Sequence, residues 1–358
     1  MRTLVVSDLH LGAARGLDAL RRPRPLGGLV EAVRGADRLV ILGDAIELRH
    51  GPLRDALAAA TPVFAALGAA LGPAGELVLV PGNHDHALIG PWLERRGGAE
   101  GPGPLGLEHR AGREPTRALA ELAAAAGPAR FEVAYPGLWL RRDVYAIHGH
   151  YLDRLITVPT FERLAAGAMV RVVGALPDDQ ASPDDFEAAL APLYAWMHAV
   201  AQTKHSGWAA SRQSTSARTW QALAAAGPRR LRARAVAAAF PLAVAGMNRA
   251  GLGPVRPQLS GDELRRAGLA AMGEVVRLLG VDAAHVIFGH THRAGPLPDD
   301  DLGAWRAPAG AALHNPGCWT DEPIFATGGP ASPYWGGRAV MLEDDGPPRL
   351  ERVVTDLG

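Results

Sequence analysis

Short apolar runs recur along this chain, and five of them end on a small polar cluster. Residues 3–7 stop at Asp8-Leu9-His10, and residues 38–42 stop at Gly43-Asp44. Residues 77–80 lead to Gly82-Asn83-His84-Asp85, and 144–147 to His148-Gly149-His150. Residues 285–288 end at Gly289-His290-Thr291-His292. Runs this short are too brief for helices, and their β-branched content predicts strands. They are apolar throughout instead of alternating, which predicts a sheet covered on both faces. Helical spacing between them, at 29–34 and in the alanine-rich stretch 56–75, gives a strand–helix–strand order and hence an α/β fold. Residues 15–28, rich in Arg, Pro and Gly, are predicted to be a loop, as are residues 97–106. Residues 118–126 are predicted to be helical, and 338–342 with 350–354 to form a terminal hairpin.

The pattern changes between residues 151 and 280. Strand signals give way to helical stripes at Phe161, Leu164, Ala168 and Val172, and at Phe186, Leu190, Leu193, Met197 and Val200. A third stripe runs through Leu264, Gly268, Ala271, Val275 and Leu278, with Asp262 a candidate N-cap and Gly280 a stop. The expected organisation is a core in two parts, 1–150 and 281–358, interrupted by a helical insertion or lid at 151–280. Arg229, Arg230, Arg232 and Arg234 precede the apolar run 235–247 inside it. A basic cluster beside an apolar stretch is the pattern of peripheral membrane contact, although Pro241 and the alanines favour a buried lid helix.

Composition narrows the picture. Lys+Arg and Asp+Glu are equal at 37 each, so charge gives no sign of a nucleic-acid partner. Cys318 is the single cysteine, which excludes an intrachain disulfide and a thiolate cluster. The first residues lack a long apolar segment, so the expected location is the cytoplasm. No eighteen consecutive residues are apolar, and 56–75, the nearest approach, contains Thr61, Pro62 and Pro73 and is expected to be a buried crossover helix.

The clusters carry the chemistry. Asp8, His10, Asp44, Asn83, His148, His290 and His292 offer imidazole nitrogens and carboxylate or amide oxygens, and no sulfur. That donor set suits manganese, iron or zinc better than calcium. Seven ligands exceed what one catalytic ion with an open position needs, and they suit two ions sharing a bridging carboxylate. Such a pair can hold a bridging hydroxide and clamp an in-line displacement at phosphorus. Arg49 and Arg293 follow two of the clusters and are candidates to bind phosphate oxygens. His150 is a candidate substrate contact, and His86 is expected to be structural.

Taken together, the five clusters resemble the five-block signature of the calcineurin-like metallophosphoesterase superfamily over residues 1–150 and 280–320. The resemblance implies a four-layer αββα sandwich with a dinuclear site at one edge. It implies Asp8, His10 and His292 on one ion, Asn83, His148 and His290 on the other, and Asp44 bridging. His84 would assist the leaving group, as the general acid or by stabilising the developing charge, with Asp85 orienting it. Two divalent ions are implied, manganese first, with iron, zinc or magnesium able to fill the same positions. Asn315-Pro316-Gly317 resembles the strand-end loop after the last block, with Cys318 in place of a commoner serine. Asp8-Leu9-His10-Leu11, Glu47 three residues after Asp44, and the helical insertion are similar to the subgroup of UDP-2,3-diacylglucosamine pyrophosphatases. Against that subgroup, His84 stands where Arg is usual and His150 where Asp is usual. The expected substrate is a phosphate-ester small molecule, with a lipid-linked nucleotide as the rival and a non-catalytic scaffold on the same fold as the other alternative.

Overall fold

The computed structural model describes residues 1–96, 103–111, 116–157, 176–202, 261–322 and 329–357, with isolated positions 169, 174, 246, 248 and 249. The stripe at Phe161–Val172 lies outside them apart from residue 169. The arginine cluster at 229–234, the apolar run after it except residue 246, and most of the 97–106 loop also lie outside the described residues.

Strand β1 (Thr3–Val6) pairs in parallel with β2 (Arg38–Leu42), and β2 with β3 (Glu76–Val80). Helices α1 (Pro23–Arg34) and α2 (Leu53–Leu71) make the two crossovers. After α3 (Gly90–Arg96), β4 (Glu108–Ala111) and α4 (Arg117–Ala126) comes β5 (Arg130–Arg141). The first half of β5 pairs with β3 and β4, and its second half pairs antiparallel with β6 (Val144–Ile147). From there β6, β7 (His285–Phe288) and β8 (Ala312–His314) run parallel. At the other edge β9 (Arg338–Leu342) and β10 (Arg349–Arg352) form the expected hairpin against β1.

The side chains divide this path into two stacked sheets. Leu39, Ile41, Leu77 and Leu79 pack with Phe64, Leu67 and Leu122 of α2 and α4. Their neighbours Val40, Leu42, Val78 and Val80 instead meet Leu138, Val144, Ala146 and Ile287 of the second sheet. Tyr145, Ile147, Val286 and Phe288 face outward onto helices α5 (Pro183–Gln202) and α6 (Gly261–Leu278). Alternate residues of one strand thus enter different apolar layers, as the period-two pleat requires. Each fully buried aliphatic side chain is worth about 1.5–3 kcal/mol in this arrangement. The result is the four-layer αββα sandwich. Helix α2 is long and apolar enough to cross a membrane by length and composition. Here it lays Ala56, Ala60, Val63, Phe64 and Leu67 on the core.

Several expectations change. Residues 23–28 belong to α1 and not to a loop. Pro23 sits in the first helical turn, where a missing N–H costs nothing because no intrahelical partner exists for it. Strands β4, β5 and β8 carried no readable signal. β5 contains Pro136, Gly137 and charged ends, yet it is the strand shared by both sheets. Helices α5 and α6, both within the span of the expected insertion, pack on the second sheet, and the helical expectation for these two segments holds. Gly280 (φ +63°) ends α6, with the Gly280 and Val281 N–H groups donating to the carbonyls of Arg277 and Val276.

One consequence concerns acid stability. His314 is buried at the end of β8, 3.1 Å from His285. Burial, then His285, pushes His314 down to about 4. The unfolded chain therefore takes up a proton near pH 6.5 that the folded chain resists, and stability falls as pH drops from 6.5 towards 4. The full contribution is up to ~3 kcal/mol. Denaturant titrations across that range should show a shallower acid loss for His314→Gln than for the parent. Parallel curves would remove His314 from the account.

Candidate metal centre

All five polar clusters sit at the C-terminal ends of β1, β2, β3, β6 and β7, the edge where α/β sheets place ligands. Backbone hydrogen bonds join the loops to one another. The Asp8 and His10 N–H groups donate to the carbonyls of Gly43 and Asp44, and the Gly289 N–H donates to the His148 carbonyl. The Trp319 N–H donates to the Asp8 carbonyl, tying the segment after β8 to the first cluster. Asn315 donates to the Gly289 carbonyl at 2.9 Å and to Thr291 Oγ1 at 3.1 Å, which pins the last cluster. Among the described residues, six non-glycine positions have positive φ, and five of them are Asp8, His10, Asp44, His290 and His292. Left-handed backbone at five converging polar side chains is strain held in place by the surrounding structure.

Each donor atom is pre-aimed. Asp8 Oδ2 accepts the His290 N–H at 3.0 Å and the Ser7 hydroxyl. This leaves Oδ1 buried without a hydrogen-bond partner, 3.3 Å from His292 Nε2. Asp44 Oδ1 accepts the His84 N–H at 2.8 Å, and Oδ2 lies 3.4 Å from His148 Nε2 and 3.7 Å from His10 Nε2. His10 Nδ1 is on Glu47 at 3.1 Å, His148 Nδ1 on the Leu42 carbonyl at 2.9 Å, and His290 Nε2 on Asp153 at 2.9 Å. A histidine held through one nitrogen presents the other as a lone pair. The nitrogens so presented are His10 Nε2, His148 Nε2 and His290 Nδ1. Potential ligand atoms of Asp8, His10 and His292 lie within 4.8 Å of one another, as do those of Asp44, His148 and His290.

The electrostatics fit cations. Burial pushes Asp8 up, but His292 and His148 outweigh it and hold the carboxyl at about 2. Burial also opposes ionisation of Asp44, and His148, His84 and His10 hold it well below the carboxylate range. In return, His148 is drawn up to about 9 by Asp44 and Asp8 against its burial. His292 is drawn well above its usual value by Asp8. Protons here do the work of counter-charge, and metal binding displaces such protons. The unpartnered Asp8 Oδ1 and the converging lone pairs fit divalent metal ions. Asp8, His10 and His292 could hold one, and Asn83, His148 and His290 the other, with Asp44 between.

His84 lines the cleft beside this group, its ring edge-on to His10 with centroids 4.6 Å apart. The carboxylate on its Nδ1 is Glu47, at 2.8 Å. Asp85 does not orient His84 as expected, because its oxygens are taken by the Gly82, Ala45 and Ile46 N–H groups. Asp85 braces the loops, and burial followed by Asp44 pushes it up to about 6. Burial pushes His84 down to about 4, against Glu47 and with Arg49.

The expected substrate contacts are placed differently. His150 is fully buried away from the cleft, 3.2 Å from Tyr135 Oη, in a cluster where Glu187 accepts from Tyr135 and from Tyr151 at 2.7 Å. His86 joins the same carboxylate at 3.0 Å. Arg293 lines the cleft, but its guanidinium is engaged by both oxygens of Asp300 and lies over Trp305. Arg49 is drawn to the Asn83 carbonyl at 3.0 Å and to the face of Tyr194, off the cleft wall. Sequence reasoning missed Asp153 and the role of Glu47. Glu47 follows Asp44 by three residues and Asp153 follows His150 by three, and neither spacing reveals which histidine each one meets.

The cleft has a volume of about 330 Å³. The polar cluster lines it together with the apolar side chains of Leu152, Ile156, Leu269, Phe288 and Trp305. A family model for calcineurin-like phosphoesterases matches residues 1–205, more than half of the chain and four of the five clusters. The chain is a calcineurin-like phosphoesterase. The fifth cluster lies beyond the matched span, and the sandwich brings it to the other four. No curated protein matches the chain. This phosphoesterase therefore acts on phosphate esters with divalent metal ions, and its His/Asp clusters are compatible with holding them.

Proposed function

We propose that this phosphoesterase cleaves a phosphate ester or pyrophosphate in the cleft with two divalent ions, Asp44 standing between them. The observation that carries the reading is the convergence of Asp8, His10, Asp44, His148, His290 and His292, with Asp8 Oδ1 buried and unpartnered. When bound, the ions would supply a water acidic enough to attack at neutral pH and positive charge for the phosphoryl oxygens.

The chain's own residues do the rest. Glu47 holds His84 at Nδ1 and so leaves Nε2 for the leaving group; to act as the acid the ring must first take up a proton there, which burial opposes and Glu47 favours. Glu47 also holds His10, which couples the proton donor to a metal-side histidine through one carboxylate. The loops' mutual backbone hydrogen bonds keep the donors in place before substrate arrives. Manganese is the proposed metal, from the mixed nitrogen and oxygen donors.

A second reading, the lipid-nucleotide pyrophosphatase, is favoured by the apolar cleft lining of Leu152, Ile156, Leu269, Phe288 and Trp305. It would place an acyl group against those side chains. Hydrolysis of a lipid-linked nucleotide but not of a polar phosphodiester would select it.

Chelator-treated protein is expected to lose hydrolysis of bis(p-nitrophenyl) phosphate and to regain it with manganese. His84→Asn loaded the same way should keep its metal content and lose kcat by about 10²–10⁴-fold. If the loaded parent protein is inactive on a panel of diesters, monoesters and pyrophosphates, the hydrolase reading fails. An unchanged kcat in His84→Asn removes only the role given to His84.

A further inference from the structure

The Asn83 side chain stands between two groups with opposite demands. Its Oδ1 faces the site, 3.2 Å from His148 Nε2 and 3.1 Å from His290 Nδ1. On the other side lies the Arg49 guanidinium. Were the amide turned over, its oxygen would accept from Arg49 Nη1 at 3.2 Å and Nη2 at 3.0 Å. Its nitrogen would then lie 3.1–3.2 Å from His290 Nδ1, Asp44 Oδ2 and His148 Nε2, and its two hydrogens have acceptors in His290 Nδ1 and Asp44 Oδ2. In the first orientation the amide N–H₂ meets the N–H groups of Arg49, donor against donor. In the second both amide hydrogens have an acceptor, and the amide oxygen does not face the site. An amide has one oxygen, so a cation and Arg49 compete for it.

We propose that Arg49 is a positioning residue that opposes metal binding at the Asn83–His148–His290 end of the site, by drawing the Asn83 oxygen to itself whenever that end is empty. Arg49 is well placed for this. Its Nη2 also donates to the Asn83 backbone carbonyl at 3.0 Å, and its guanidinium lies 5.2 Å from the ring centre of Tyr194 on α5. Those contacts fix the guanidinium beside the amide. Filling this end of the site then requires the amide to turn and to give up two charge-assisted hydrogen bonds. The Asp8–His10–His292 end carries no such penalty. The two ends therefore differ in affinity, and the weaker is the one Arg49 guards. The outer helix α5, through Tyr194, takes part in setting metal occupancy.

This rests on the two-ion reading, and the experiment separates the two ideas. Manganese is titrated into metal-free protein by calorimetry, while the electron paramagnetic resonance signal reports the change from isolated to spin-coupled ions. The parent protein is expected to bind two ions with unequal affinity. Arg49→Met, which keeps the stem over Tyr194, should tighten the weaker site about tenfold and leave the stronger one unchanged. In an Asn83→Asp background a carboxylate offers an oxygen to each side, so Arg49→Met should there be neutral or should loosen the ion. That reversal distinguishes the turning amide from simple repulsion by the arginine charge. Fewer than two ions in the parent protein overturns the two-ion reading and this proposal with it. Two ions with no tightening in Arg49→Met, or equal tightening in both backgrounds, overturns the role of Arg49 alone. Should Arg49→Met not fold, Arg49→Lys lacks the planar pair of donors and should tighten the same site by a smaller factor.

Discussion

Asp44→Ala is expected to lower kcat/KM on a generic phosphodiester by on the order of 10³-fold or more. The carboxylate has two separate tasks. Oδ1 holds the His84 N–H at 2.8 Å and so fixes the turn that carries the proposed proton donor. Oδ2 lies 3.7 Å from His10 on one side and 3.4 Å from His148 on the other, the position of a shared ligand. Removing it withdraws negative charge from both halves at once and leaves His10 and His148 facing each other across a gap. Metal content should fall from two ions per chain to one or none, while circular dichroism stays native because no core side chain is lost. Asp44→Asn keeps the shape and the Oδ1 contact, so it should retain more metal than Asp44→Ala and still turn over slowly. Parental rates in Asp44→Ala would sink the placement of the site.

Gly289→Ala should be nearly as damaging, for a steric reason. A Cβ at this position would meet Ser7 Oγ at 1.9 Å and Asp8 Oδ2 at 2.7 Å. Neither can give way cheaply. Ser7 Oγ shares its one hydrogen between the Leu42 carbonyl at 2.6 Å and Asp8 Oδ2, and Asp8 Oδ2 also accepts the His290 N–H at 3.0 Å. The added methyl must push β1 and β7 apart at the point where their loops meet. Overpacking of this kind costs about 1–3 kcal/mol, and here it also displaces the Asp8 carboxylate. The expected results are a lower denaturant midpoint and loss of one metal ion per chain. Ser7→Ala in the same protein should recover part of the midpoint by removing the nearest atom. A Gly289→Ala protein with parental stability and two bound ions would show that the loops are looser than their hydrogen bonds imply.

The legible features were those carried by local pattern. The apolar runs at 38–42, 144–147 and 285–288 coincide with strands β2, β6 and β7, because a doubly covered strand needs apolar residues on both faces. The polar clusters at their ends were legible for the same reason, since ligands gather where parallel strands stop. β5 was illegible because it serves two sheets. Its Pro136 and Gly137 break any simple period, and only pairing with β3, β4 and β6 makes it a strand. The start of α1 was hidden by Pro23 and Pro25, which read as loop residues until a helix begins on them.

Within the site, the sequence by itself determined which side chains carry the donor atoms and in what order the chain presents them. Residue type and position relative to a strand end are local properties, and they survive without knowledge of the fold. The tertiary structure alone decided partnership. Glu47 rather than Asp85 holds His84, Asp153 holds His290, and Asp300 engages Arg293. His150, two residues from His148, turns into a buried tyrosine cluster and away from the cleft. Arg49 lies against Asn83, off the cleft wall. These pairings join residues seven to well over one hundred positions apart, and a hydrogen bond forms by distance and angle in space, which no local pattern encodes.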